Sequence, residues 1–179
     1  MNASRAVSTH TTAGLIYDAI YIAGIGGGTV ALFFLGYDVL VDRNAFFTPS
    51  LMGSVLFARL SPASVTSVDM MAVAKFTLVH FAVFSVLGLA LAWLTHQAEI
   101  RSRHPALVIG VVFATLEIGF WIGASLLFPG VLERIGVGAV AAANLLAAVA
   151  IGLFLVTTHR PGLLGAFRRE SRFGQGPRE

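Results

Sequence analysis

The sequence predicts an all-α integral membrane bundle of four transmembrane helices running up-down-up-down, and three observations carry that reading. Of 179 residues, 56% are hydrophobic and only 12% charged, where a soluble domain carries about 25% charged residues. The mean hydropathy is +0.83. The third observation is a set of four apolar blocks of the length a bilayer demands, roughly 20 residues for a hydrocarbon core about 30 Å thick at about 1.5 Å rise per residue. Together they exclude a water-soluble enzyme and a free nucleic-acid-binding domain, and make the lipid bilayer the first partner.

Ala19 to Tyr37 is uncharged and bracketed by Asp18 and Asp38, which predicts a first span over about residues 19–41. The block is too long for a signal-peptide core and Val39-Leu40-Val41 is no cleavage site, so the segment reads as a retained span. Phe76 to Ala98 lacks Lys, Arg, Asp and Glu and, with Met70 to Lys75, gives a second span over about 70–95. The third, about 105–128, contains Glu117 and stops at Phe128-Pro129-Gly130. The fourth, about 134–157, ends before Pro161 and Gly162. One transmembrane domain over residues 1–160 is therefore expected, followed by an Arg-rich tail, 161–179, whose composition reads as disordered.

Orientation follows from the basic residues that flank the spans. Eight (Arg5, Arg101, Arg103, Arg160, Arg168, Arg169, Arg172 and Arg178) fall on the side of the termini and three (Arg43, Arg59 and Arg134) on the other, which places both termini in the cytoplasm. The net charge of +3 and the basic tail suit a membrane surface; no nucleic-acid partner is expected. The one long connection, about 42–69, contains a short helix, Pro49 to Leu60, with Thr48 as N-cap and Pro49 at the first helical position. Such a helix lies in the outer interface, caps the bundle, or re-enters it.

Polar side chains at bilayer depth are the default functional candidates in a chain of this kind. His80, Glu117 and Asn144 each lie 11 residues from the outer end of their helix, on the order of 16 Å down. In an antiparallel bundle the three can meet, with Thr77 one turn from His80 and Thr29 nearby. A lone Glu there stays protonated, whereas one facing His shares a proton or forms an ion pair. The same residues serve equally as interhelical hydrogen bonds that fix helix pairing, and one His with one Glu falls short of a metal site. Histidines His96, His104 and His159 fall at the cytoplasmic edge, too far from His80 to share a haem. Nearer the outer rim, Asp38, Asp42, Lys75, Glu133 and Arg134 form a second polar layer, in which Asp38 and Lys75 make a salt bridge or line a vestibule.

Gly24 and Gly28, and again Gly119 and Gly123, form G-x-x-x-G pairs, and Ala139, Ala143 and Ala147 repeat at four-residue spacing; small residues of this kind let helices approach closely in lipid. The Gly26-Gly27-Gly28 run lacks the Lys-Ser or Lys-Thr of a phosphate loop. With no cysteine, nucleophile elbow, H-E-x-x-H or paired-acid motif, no catalytic residue, metal site or cofactor is assigned. The expected role is a non-enzymatic accessory subunit or a homo-oligomer packed through its Gly-rich faces. The alternatives are a small proton-linked transporter or channel using His80 and Glu117, and a haem- or metal-binding redox protein.

Gly27-Gly28 followed by Asp38, then Phe47-Thr48-Pro49-Ser50-Leu51 with Gly53 and Leu56-Phe57, then Thr77-Leu78-Val79-His80-Phe81 with Phe84 and Gly88, resembles a group of small uncharacterised four-span bacterial inner-membrane proteins. The resemblance covers about residues 20–158 and implies the architecture and a bacterial inner-membrane location, without an activity or cofactor.

Overall fold

The computed structural model describes residues 12–41, 44–98 and 105–159. All regular structure among them is helical: α1 (Thr12–Leu40), α2 (Phe47–Ala58), a single 3-10 turn (Pro62–Ser64), α3 (Met70–Ala98), α4 (Pro105–Leu127), α5 (Val131–Ile135) and α6 (Val137–His159). Four segments are long and apolar enough to cross a bilayer, Gly14–Leu40, Met70–Leu94, Ile109–Leu127 and Val137–Thr158. The protein is a multi-pass membrane protein. The expected tail and the termini that carry most of the counted arginines lie outside the described residues, as do Asp42, Arg43 and His104.

Among the spanning helices, the starts of the first and the fourth differ from expectation for physical reasons. α1 starts before Asp18 because Gly14, Leu15, Ile16 and Tyr17 continue the apolar run and the Asp18 side chain is itself buried. The fourth apolar block is divided, because Gly136 at φ 91° separates one-turn α5 from α6. That conformation is open to glycine and strained for other residues.

The helices follow the spatial order α3, α1, α6, α4: α1 packs on both α3 and α6, α6 packs on α4, and α2 lies against α3. Side chains from all four spans nevertheless meet in one core, built on Ile22, Phe84, Leu91, Val112, Leu116 and Ile151 and on the small Ala147 and Ala148. A second core gathers Phe47, Leu51, Met52 and Val55 of α2 with Phe128, Val131, Ile135 and Val140. Phe76 of α3 meets Phe128 edge-on at 6.2 Å and ties that end of α3 to the turn after α4. Around these cores the surface is inverted relative to a soluble protein: Leu32, Leu78, Val86 and Leu126 are among the most exposed side chains, Leu126 at 75%. An apolar surface of that kind fits lipid contact.

Close helix approach is made by glycines other than those in the expected G-x-x-x-G pairs. A Cβ on Gly88 would stand 2.5 Å from the Ala19 carbonyl oxygen, so its absence lets α3 settle on α1. Gly53 does the same for α2, whose backbone lies directly on the Ala72 carbonyl of α3. At Gly24, Gly28, Gly119 and Gly123 a Cβ would meet nothing within 4 Å among the described residues. Those four do not pack this chain's own helices; they leave small, open ridges on α1 and α4. Ala143 and Ala147, by contrast, are fully buried in the interior.

Candidate functional site: polar groups within the spans

Every buried side-chain nitrogen or oxygen among the described residues has a hydrogen-bond partner, as membrane depth requires, and the partners reveal what each polar group does. On α3, His80 Nε2 lies 3.0 Å from the Gly27 carbonyl oxygen of α1. A carbonyl only accepts, so Nε2 carries the proton and donates it. The ring rests against Phe84 at 4.8 Å and Phe76 at 5.9 Å between centroids. Gly27 makes this possible, since Phe84 occupies the space a side chain there would need. The result is a clip between α3 and α1.

Glu117 belongs to a different helix pair. Its Oε1 accepts from Asn144 Nδ2 of α6 at 2.9 Å, and its Oε2 accepts from Trp121 Nε1 one turn along α4 at 3.1 Å. Asn144 is 6% exposed and Trp121 41%, so the carboxyl has one buried donor and one at the bundle surface. Of the three side chains expected to meet, Asn144 and Glu117 do, while His80 is hydrogen-bonded to neither. Thr77 and Thr29 stay outside any cluster, because each hydroxyl returns to the carbonyl four residues back, Val73 and Ile25 respectively. Such back-bonding is the usual way for a helix to satisfy an interior threonine.

At the end of the bundle that carries α2, the expected Asp38–Lys75 salt bridge is replaced by another use of the acid. Asp38 is 0% exposed. Its Oδ2 accepts from the Thr48 backbone N–H at 2.6 Å and its Oδ1 from the Thr48 hydroxyl at 2.7 Å. Thr48 is therefore not the N-cap of α2. The helix starts two residues earlier than expected, at Phe47, and Phe46 before it makes no side-chain cap bond. The Asp38 carboxylate, reaching across from α1, supplies the acceptor and the negative charge that a helix N-terminus favours. Arg59 in the left-handed conformation closes the other end. Lys75 is exposed, with Nζ 5.8 Å from the Phe57 ring centroid.

Neighbouring bonds lock the same end. Arg134 Nη2 donates to the Val65 carbonyl at 3.0 Å and its guanidinium stands over the Phe47 ring. The Tyr37 hydroxyl donates to the Ile135 carbonyl at 3.1 Å. Ser50 Oγ accepts from the Asp69 N–H at 2.8 Å, and Asp69 Oδ1 accepts from the N–H groups of Met71 and Ala72, capping α3. Glu133 is exposed. The hydrogen-bonding roles of Tyr37, Ser50, Asp69 and Trp121 are not among those expected from the sequence. Asp69 was detectable, as an acid placed directly before the apolar run that opens α3; Ser50 and Tyr37 bond to groups distant in sequence and carry no local signal.

The side chains of His96 and His159, like residue His104, lie outside the described set, so the expected cytoplasmic-edge histidines have no placement. Among the described residues no three His, Asp or Glu side chains group as metal ligands. Comparison with protein-family models, curated proteins and solved structures finds no match.

Proposed function

We propose that this protein is a non-enzymatic accessory or structural subunit of the bacterial inner membrane, with both termini cytoplasmic, assembled through the open ridges of α1 and α4. The supporting observation is the division of labour among its small and polar residues. The polar groups at depth join helices within the chain, His80 to α1 and Asn144 to Glu117. Gly24 with Gly28, and Gly119 with Gly123, stand over open space. In lipid no hydrophobic force drives helices together, and smooth ridges of this type are where another helix gains van der Waals contact. The cytoplasmic placement of the termini rests on the eight-to-three distribution of basic residues. A relay between His80 and Glu117 receives no support, since each is bonded to a different helix pair.

Leucine at Gly28 and at Gly119 tests the assembly. Because a Cβ at either position meets nothing within 4 Å among the described residues, both variants are expected to keep the thermal stability of the parent in mild detergent. Cross-linking in native membranes is expected to lose most of its higher-mass product, because a leucine side chain on the ridge holds the two helix backbones apart. Unchanged cross-linking in both variants contradicts the proposed interface.

A further inference from the structure

Glu117 differs from every other polar group at depth. It stands within one residue of the midpoint of its 19-residue span, Ile109–Leu127. Its carboxyl is only part-buried, and the exposed neighbours on that side of α4 include Ala114, Ile118 and Trp121. Both donors to it, the Asn144 amide and the Trp121 indole, are neutral. No other Asp, Glu, Lys or Arg occurs in α4, and none in α6, the helix packed against it. The one titratable residue of α6, His159, lies 15 positions beyond Asn144, about 22 Å along the axis. Across the core, His80 donates to Gly27, and Lys75 stands over Phe57.

The carboxyl is thus held by two N–H donors, one to each oxygen, with no charged partner on either helix. Neither N–H can receive the acid's own proton, but an amide turned over presents Oδ1 in place of Nδ2. The Asn144 side chain can thus serve both forms, donating to the anion and accepting from the acid.

We infer that Glu117 is a membrane-embedded proton-binding site, with Asn144 as its positioning residue and the Trp121 side of α4 as its open face. Uptake joins a proton from hydronium to one carboxylate oxygen and releases water; release is the reverse, and no other bond changes. This site does not rest on the assembly reading, because Glu117, Asn144 and Trp121 all belong to one chain.

The test is pH-difference infrared spectroscopy of the full chain reconstituted in phosphatidylcholine vesicles, following the protonated-carboxyl C=O band. Because nine acidic side chains contribute to that band, the site is read as the component that grows on acidification in the parent and is missing in Glu117→Gln, and this component is expected to move in frequency in Asn144→Ala as its hydrogen bond is lost. A second measurement needs no variant: dicyclohexylcarbodiimide, a lipid-soluble reagent for protonated carboxyls, is expected to add to Glu117 in the parent protein. Peptide mass mapping reads that addition, which falls as pH rises because the anion does not react. A pH-dependent band that is the same in the parent and in Glu117→Gln, or absence of reagent on Glu117 at every pH, overturns the proposal.

Discussion

Replacing Asp38 with alanine is expected to remove about 3 kcal/mol or more of stability and to free α2 from the bundle. The side chain is fully buried, and both of its oxygens accept from Thr48. Loss of a buried, charge-assisted acceptor leaves the Thr48 N–H and hydroxyl without their partner, and truncating one side of such a buried contact costs about 3–5 kcal/mol. Asparagine separates geometry from charge. Its Oδ1 can accept from the Thr48 N–H while its Nδ2 donates to the Thr48 hydroxyl, so both bonds persist. What disappears is the negative charge at the start of α2, about 0.3–1 kcal/mol in exposed helices. Thermal unfolding in mild detergent, with proteolysis of the 59–69 connection as a local readout, should rank the parent above Asp38→Asn and both well above Asp38→Ala. Equal losses for the two variants would show that charge, and not the paired hydrogen bonds, holds α2.

Alanine at Gly53 is expected to have an effect of similar size by a different route. The added methyl runs into the Ala72 carbonyl and Cα, which are backbone of α3 and cannot swing aside as a side chain can. Overpacking of this kind costs about 1–3 kcal/mol and more where the backbone itself must move, so a loss of about 3 kcal/mol is expected. Gly24→Ala is the matched control. There the methyl enters open space, and the better helix former should be neutral or stabilising by about 0.5–1 kcal/mol. Thermal unfolding of the two variants side by side reads the difference, and comparable behaviour would mean that α2 does not sit on α3 as described.

The contrast between these glycines shows where sequence reasoning reaches its limit. Span number and approximate position were legible because the bilayer sets a minimum apolar length, and charges bracket or interrupt the blocks. Helix ends were less legible, since a tertiary partner decides them: Asp38 lets α2 begin at Phe47, and burial of Asp18 lets α1 begin early. Depth arithmetic placed His80, Glu117 and Asn144 at one level, but rise along an axis does not say in which direction a side chain turns. His80 turns toward Gly27 of α1, and Glu117 toward Asn144 of α6. A G-x-x-x-G pair likewise identifies a smooth ridge without saying whether it meets the chain's own helices. In this chain Gly53 and Gly88 do so, outside any such motif, while Gly24, Gly28, Gly119 and Gly123 face outward.

The central claim, that these outward ridges serve assembly, is tested most directly by native mass spectrometry of the protein released gently from its own membrane. The account predicts a species heavier than one 18.9 kDa chain, either a whole multiple or a complex with another protein, and its loss in Gly28→Leu. A single chain carrying only lipid would contradict it.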